Sequence, residues 1–97
     1  MKIDLNFNLK NLSGEDLITG KGENGETTYQ NAGKLLANLL VGQTEGDTIK
    51  YYDWALKLHG GNAIDLDRSD QDKLKKFIEG NKQMTILAKA QILEKFK

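Results

Sequence analysis

The stretch Gly20-Lys21-Gly22-Glu23-Asn24-Gly25 spells G-x-G-x-x-G just ahead of a helical pattern. In dinucleotide-binding proteins those glycines let the backbone approach a pyrophosphate at a helix N-terminus, inside a unit of parallel strands. Here the surroundings speak against that chemistry. Glu23 and Glu26 would repel a phosphate, and the segment before the loop carries Glu15 and Asp16. The phosphate-loop pattern G-x-x-x-x-G-K-[ST] fails as well, because Gly22 rather than Ser or Thr follows Lys21. The expected role is a connector, a flexible glycine-rich loop over residues 19–27 with a turn at Asn24-Gly25.

Other chemistry-bearing residues are similarly isolated. His59 is the single histidine and falls in the last turn of a helical stretch, where a ring N–H complements exposed carbonyls. No Ser or carboxylate stands at a spacing that would make it a general base. Asp65, Asp67, Ser69 and Gln71 alternate like the start of a calcium loop. The sixth position, which needs Gly, is Asp70, and the twelfth, which needs Glu, is Lys76. No catalytic residue, cofactor or metal is expected.

Two constellations point to binding instead. Tyr51, Tyr52 and Trp54, with Lys50 and Lys57 beside them, would offer stacking surfaces to single-stranded nucleic acid, although at helical spacing they read as core. The last third has a helix, turn, helix outline with Arg68, Lys75, Lys76, Lys82 and Lys89 as its candidate DNA-contacting cations. Arg68 is the one arginine of the chain, so bidentate base reading is poorly supplied. A small DNA-binding regulator is therefore the second choice, and nucleic acid is not the expected partner.

These residues must be positioned by elements that the hydrophobic pattern outlines. Ile3, Leu5, Phe7 and Leu9 alternate with polar residues, which predicts a strand. After a turn at 11–14, residues 15–19 return to make a hairpin whose apolar face must lie on helices. A first helix is predicted from Thr28 to about Val41, stopped by Gly42. Asp47 caps a second, which Gly60 and Gly61 end. The apolar arc Ile49, Tyr51, Tyr52, Trp54, Ala55, Leu56 and Leu58 is wider than one core face requires, so this helix is placed at the centre. Ala63 to Leu66 suggest a short strand. A third helix follows with Ser69 as cap and Gly80-Asn81 as stop, and a fourth runs from about Met84 to Phe96.

The fold class that results is α+β, with an N-terminal β-hairpin packed on about four α-helices. At 97 residues the chain is one domain, able to bury roughly two-thirds of its unfolded surface. It has no cysteine, so disulfides and thiolate ligands are excluded. No apolar run reaches the roughly 18 residues of a membrane span, and the alternating start does not resemble a signal peptide, so a cytoplasmic location is expected. The net charge is zero, yet residues 1–67 carry −4 and residues 68–97 carry +4.

The fourth helix is apolar on more sides than one core absorbs. With Ile86, Ala90 and Leu93 assigned inward, Leu87, Ala88, Ile92 and Phe96 are left to find other cover and become the candidate protein-binding surface. Weak self-association or an unidentified protein partner is the expected use.

The runs NAGKLLANLL, YYDWALKL, IDLDRSD, KKFIEGN and LAKAQILEKF, in that order over residues 31–97, together with the alternating amino terminus, resemble a group of short uncharacterised proteins encoded by tailed phages and prophages. Residues 20–25 look like a loop insertion relative to that pattern. The group has no agreed activity, so the resemblance implies a setting, a non-enzymatic accessory or assembly protein in the bacterial cytoplasm, and no site residues.

Overall fold

A computed structural model describes residues 1–21 and 25–97. The fold is α+β. Among the described residues there are four helices, α1 (Ala32–Val41), α2 (Thr48–His59), α3 (Arg68–Gly80) and α4 (Ile86–Leu93), the last running into a 3-10 turn, Glu94–Phe96. Four short strands, β1 (Lys2–Ile3), β2 (Ile18–Lys21), β3 (Thr27–Tyr29) and β4 (Ile64–Asp65), make two antiparallel pairs. β2 and β3 form the hairpin, while β1 pairs with β4 so that Ile3 stands opposite Ile64.

Each helix begins where a side chain can take up a free backbone N–H of the first turn. Asn31, Asp47, Asp67 and Thr85 accept from the amides of Lys34, Lys50, Asp70 and Ala88 respectively. The expected cap Asp47 is in place. α3 starts two residues earlier than predicted, because Asp67 rather than Ser69 is its cap, with the Asp70 amide 2.7 Å from the Asp67 carboxylate. α1 starts later than predicted: Thr27 to Tyr29 lie in β3, and the helical spacing of Tyr29 to Ala32 is incidental.

The amino-terminal alternation does sort residues by face, since Ile3, Leu5 and Leu9 are buried and Phe7 packs partly against them. It does not make one strand from 3 to 9. After β1 the chain spends its carbonyls on α1: Ala32 and Gly33, whose amides have no partner within the helix, donate to the carbonyls of Phe7 and Leu5 at 2.8 and 2.9 Å. The turn at 11–15 is tied by the Asn11 side chain, which accepts from the amides of Ser13 and Glu15. Beyond it, Leu17 donates to the Leu9 carbonyl, and Lys10 bridges to Asp16.

The span 19–27, expected to be a flexible connector, is at its two ends a ladder. Gly20 pairs with Thr28, Lys21 pairs with Thr27, and the hydroxyls of Thr19 and Thr28 are 2.7 Å apart across it. The β-branched residues Ile18, Thr19, Thr27 and Thr28 favour that pairing. The Gly22-Glu23-Asn24 part of the glycine motif lies outside the described residues.

The core is one cluster drawn from every helix and from the amino terminus, with Leu36, Leu40, Leu58, Leu74, Ile78 and Ile92 fully buried. Trp54 and Leu36 are both buried in it. Gly33 lets α1 approach closely: a Cβ there would lie 3.0 Å from the carbonyl oxygen of Leu58 and 3.2 Å from that of Leu5.

Candidate functional site

The surface predicted on α4 is not a surface. Ala88, Ile92 and Phe96 are buried in the core with Met84, and Leu87 is half-buried, whereas Ile86 is 85% exposed and Ala90 is exposed too. A helix that is apolar on two seams has no unique rotation from its own pattern. Here the seam carrying Ile92 and Phe96 goes inward. Two polar ties set the rotation: Gln91 bonds to the backbone of Lys10, and Lys89 Nζ donates to the Glu79 carbonyl at 3.0 Å.

The largest aligned group of apolar side chains left in water is on α2 instead. Ile49, Tyr52 and Leu56 are 78%, 60% and 57% exposed, and Val41 at the end of α1 is 53% exposed beside them. The placing of this helix at the centre, with its whole apolar arc covered, is thus corrected. α1 packs closely on α2, whose Trp54, Ala55 and Leu58 are buried, and α3 meets it through Phe77 and Asp70, while Ile49, Tyr52 and Leu56 stay mostly uncovered among the described residues. Spacing of three and four residues aligns Ile49, Tyr52 and Leu56 as one stripe. Between this stripe and α1 runs a shallow groove of about 270 Å³ lined by Ala37, Asn38, Val41, Tyr52, Leu56 and His59.

Polar groups border the stripe. On one side Asp53 and Lys57 form an i, i+4 ion pair with Oδ2 and Nζ 3.0 Å apart, both half exposed. On the other side His59 stands exposed at the last turn of α2, next to the groove. The buried side of α2 is fixed by Tyr51, which stacks on Trp54 at 6.0 Å between centroids and meets Phe77 of α3 edge-on at 5.5 Å. Lys50 locks the same helix to α3 through Asp70, Nζ to Oδ1 2.6 Å. That hydrogen bond raises the Lys50 pKa above the ordinary lysine value, against the smaller opposing effect of desolvation.

The aromatic trio therefore does not form a stacking platform. Trp54 is buried, Tyr51 is half-buried between rings, and Tyr52 alone faces solvent. The basic residues of the last third are spread out. Arg68 opens α3 and Lys82 lies beyond its other end, roughly 20 Å away along a helix of this length. Lys75 is half-buried, Lys76 is exposed, and Lys89 is spent on the Glu79 carbonyl. The exposed side of α4 presents Ile86 and Ala90 rather than cations.

The acidic series after residue 64 is structural. Asp67 caps α3, Asp70 holds Lys50, and Asp65 lies 3.4 Å from the amino terminus. Among the described residues no three His, Asp or Glu side chains converge as a metal site. None of their helices is long and apolar enough to cross a membrane. The chain matches no family model, no curated protein and no solved structure.

Sequence reasoning missed Ile49, Tyr52 and Leu56 as surface residues by assigning them to the core. The signal was present: the apolar arc of α2 is wider than one neighbouring element can cover.

Proposed function

We propose that this protein is a non-enzymatic binding module that works through the exposed face of α2 and the adjoining end of α1. The observation that supports this reading is the continuous stripe Ile49, Tyr52 and Leu56 with Val41 beside it, left in water together, whereas the other exposed aliphatic residues Leu12, Ile18 and Ile86 stand on three separate segments. Scattered apolar residues are ordinary on a surface, but an aligned stripe with a groove and a charged border has the form of a protein contact. Covering roughly 300 Å² of it is worth about 7 kcal/mol before the cost of association, which suits a weak or transient complex. An accessory or assembly role in the bacterial cytoplasm, as the phage resemblance implies, is the setting in which such a module operates.

A photoreactive amino acid placed at position 56 tests the reading, with one at position 76 as control. A discrete protein adduct from position 56 and none from position 76 is expected in cells expressing the protein. The absence of any discrete adduct from position 56 overturns the proposal, and a nucleic-acid adduct from position 76 replaces it with the DNA-binding regulator.

A further inference from the structure

We infer that the occupant of this face is a second copy of the chain, with the two α2 helices packed antiparallel across a two-fold axis close to Leu56. The inference rests on the protein-binding reading above and names its partner. Two-fold symmetry makes a surface meet itself, so that if residue i touches residue j, then j touches i. For antiparallel helices this has a simple consequence: opposed residues have numbers whose sum is constant to within a residue or two, and each flank of one helix faces the same flank of the other.

One register satisfies the whole face. With opposed residues summing to about 109 to 112, Asp53 of each copy stands opposite Lys57 of the other, and the reciprocal pair follows from the symmetry. On the other flank the hydroxyl of Tyr52 comes opposite the imidazole of His59, two groups able to share a hydrogen bond. Along the middle, Leu56 meets Leu56, and Ile49 meets Gly60, which is exposed and has no side chain to obstruct it. A shift of about four residues, which would put Ile49 against Leu56, sets Asp53 beside Asp53 and is opposed by like charge.

Charge and size agree with a second copy as the partner. The chain has a net charge of zero, so two copies meet without long-range repulsion. The contact is short: a 12-residue helix is about 18 Å long, and a stripe of that length falls below the ~800 Å² per partner of a standard interface. The dimer is accordingly weak and visible only as the concentration rises.

Sedimentation velocity over a concentration series tests this with two variants, Asp53→Lys and Lys57→Asp. Both side chains are about half exposed, and circular dichroism checks that each variant keeps the wild-type fold. Wild type is expected to sediment faster as concentration rises, and each variant alone to dissociate roughly tenfold more readily, since like charges then face each other. An equimolar mixture of the two variants is expected to form a heterodimer, because an all-basic flank meets an all-acidic one. The ion pair within a single helix cannot be restored by mixing, so recovery in the mixture reports the contact between copies. A mixture no tighter than its components, or a wild type that dimerises but ignores both substitutions, overturns the inference. A wild type that stays monomeric while position 56 crosslinks to a different protein overturns the second copy and leaves the binding reading standing. A monomeric wild type with no adduct at all overturns both.

Discussion

The side-chain amide of Gln91 occupies the place of a neighbouring strand beside Lys10: its Nε2 donates to the Lys10 carbonyl at 2.6 Å, and its Oε1 accepts from the Lys10 amide at 2.8 Å. One residue of α4 thus satisfies both backbone groups of a residue 81 positions away and fixes how the helix is rotated against the amino terminus.

Gln91→Ala is expected to lower stability by roughly 1 to 2 kcal/mol, the net worth of two partly solvated hydrogen bonds. Gln91→Glu keeps the acceptor but loses the donor, and places a carboxylate against the Lys10 carbonyl, so it should recover little. Urea unfolding of the three proteins checks this, and a Glu variant as stable as wild type would count against the paired geometry.

Two glycines on helices should respond to alanine with opposite sign. At Gly33 the new methyl would press on the carbonyls of Leu58 and Leu5, and overpacking of this kind costs roughly 1 to 3 kcal/mol. At Gly80 nothing lies within 4 Å, so alanine should be neutral or stabilising by up to about 1 kcal/mol through helix propensity. Thermal melts of Gly33→Ala and Gly80→Ala give the comparison, and equal shifts would contradict the close approach of α1 to α2.

The rotation of α4 predicts that Ile92→Glu unfolds the protein while Ile86→Glu leaves its melting temperature nearly unchanged, since the first side chain is fully buried and the second is 85% exposed. A milder Ile92→Ala should cost roughly 2 to 5 kcal/mol. A folded Ile92→Glu would mean that this seam faces out after all.

Lys50 and Asp16 should give opposite pH signatures. The pKa of Lys50 is raised by its hydrogen bond to Asp70, so that contact stabilises fully below the ordinary lysine value of 10.5 and is lost as pH rises through the higher folded value. The difference in melting temperature between wild type and Asp70→Asn should therefore be flat near neutrality and shrink only in strong alkali. The pKa of Asp16 is lowered, chiefly by its hydrogen bond to Lys10 and next by that to Asn8. Its contribution is present above the ordinary carboxylate value and disappears as pH falls through the lower folded value, so an Asp16→Asn difference should vanish in acid. Differences that ignore pH at both ends would separate these pairs from stability.

Some of this was legible without coordinates. Asp47, Gly42 and Gly60-Gly61 mark helix limits because capping and stopping are decided by a residue's own side chain and its nearest backbone groups. Tyr29 misled because one residue at the right spacing cannot distinguish the end of a strand from the start of a helix, and here Ile18 lies opposite it in the ladder.

The α+β class, the Asp47 cap, the glycine stops of α1 and α2, and the burial of Ile3, Leu5, Leu9 and Trp54 were determined by the sequence itself, through local hydrogen-bonding chemistry and hydrophobic period. Tertiary structure decided which apolar faces remained uncovered. Ile92 turned inward and Ile86 outward although both belong to apolar seams of one helix, and Leu56 stayed in water although it shares an arc with buried Leu58. Periodicity defines the faces of a helix, but the choice of which face is buried depends on the neighbours available to cover it: Lys10 for Gln91, Glu79 for Lys89, and nothing within the described chain for the outer side of α2.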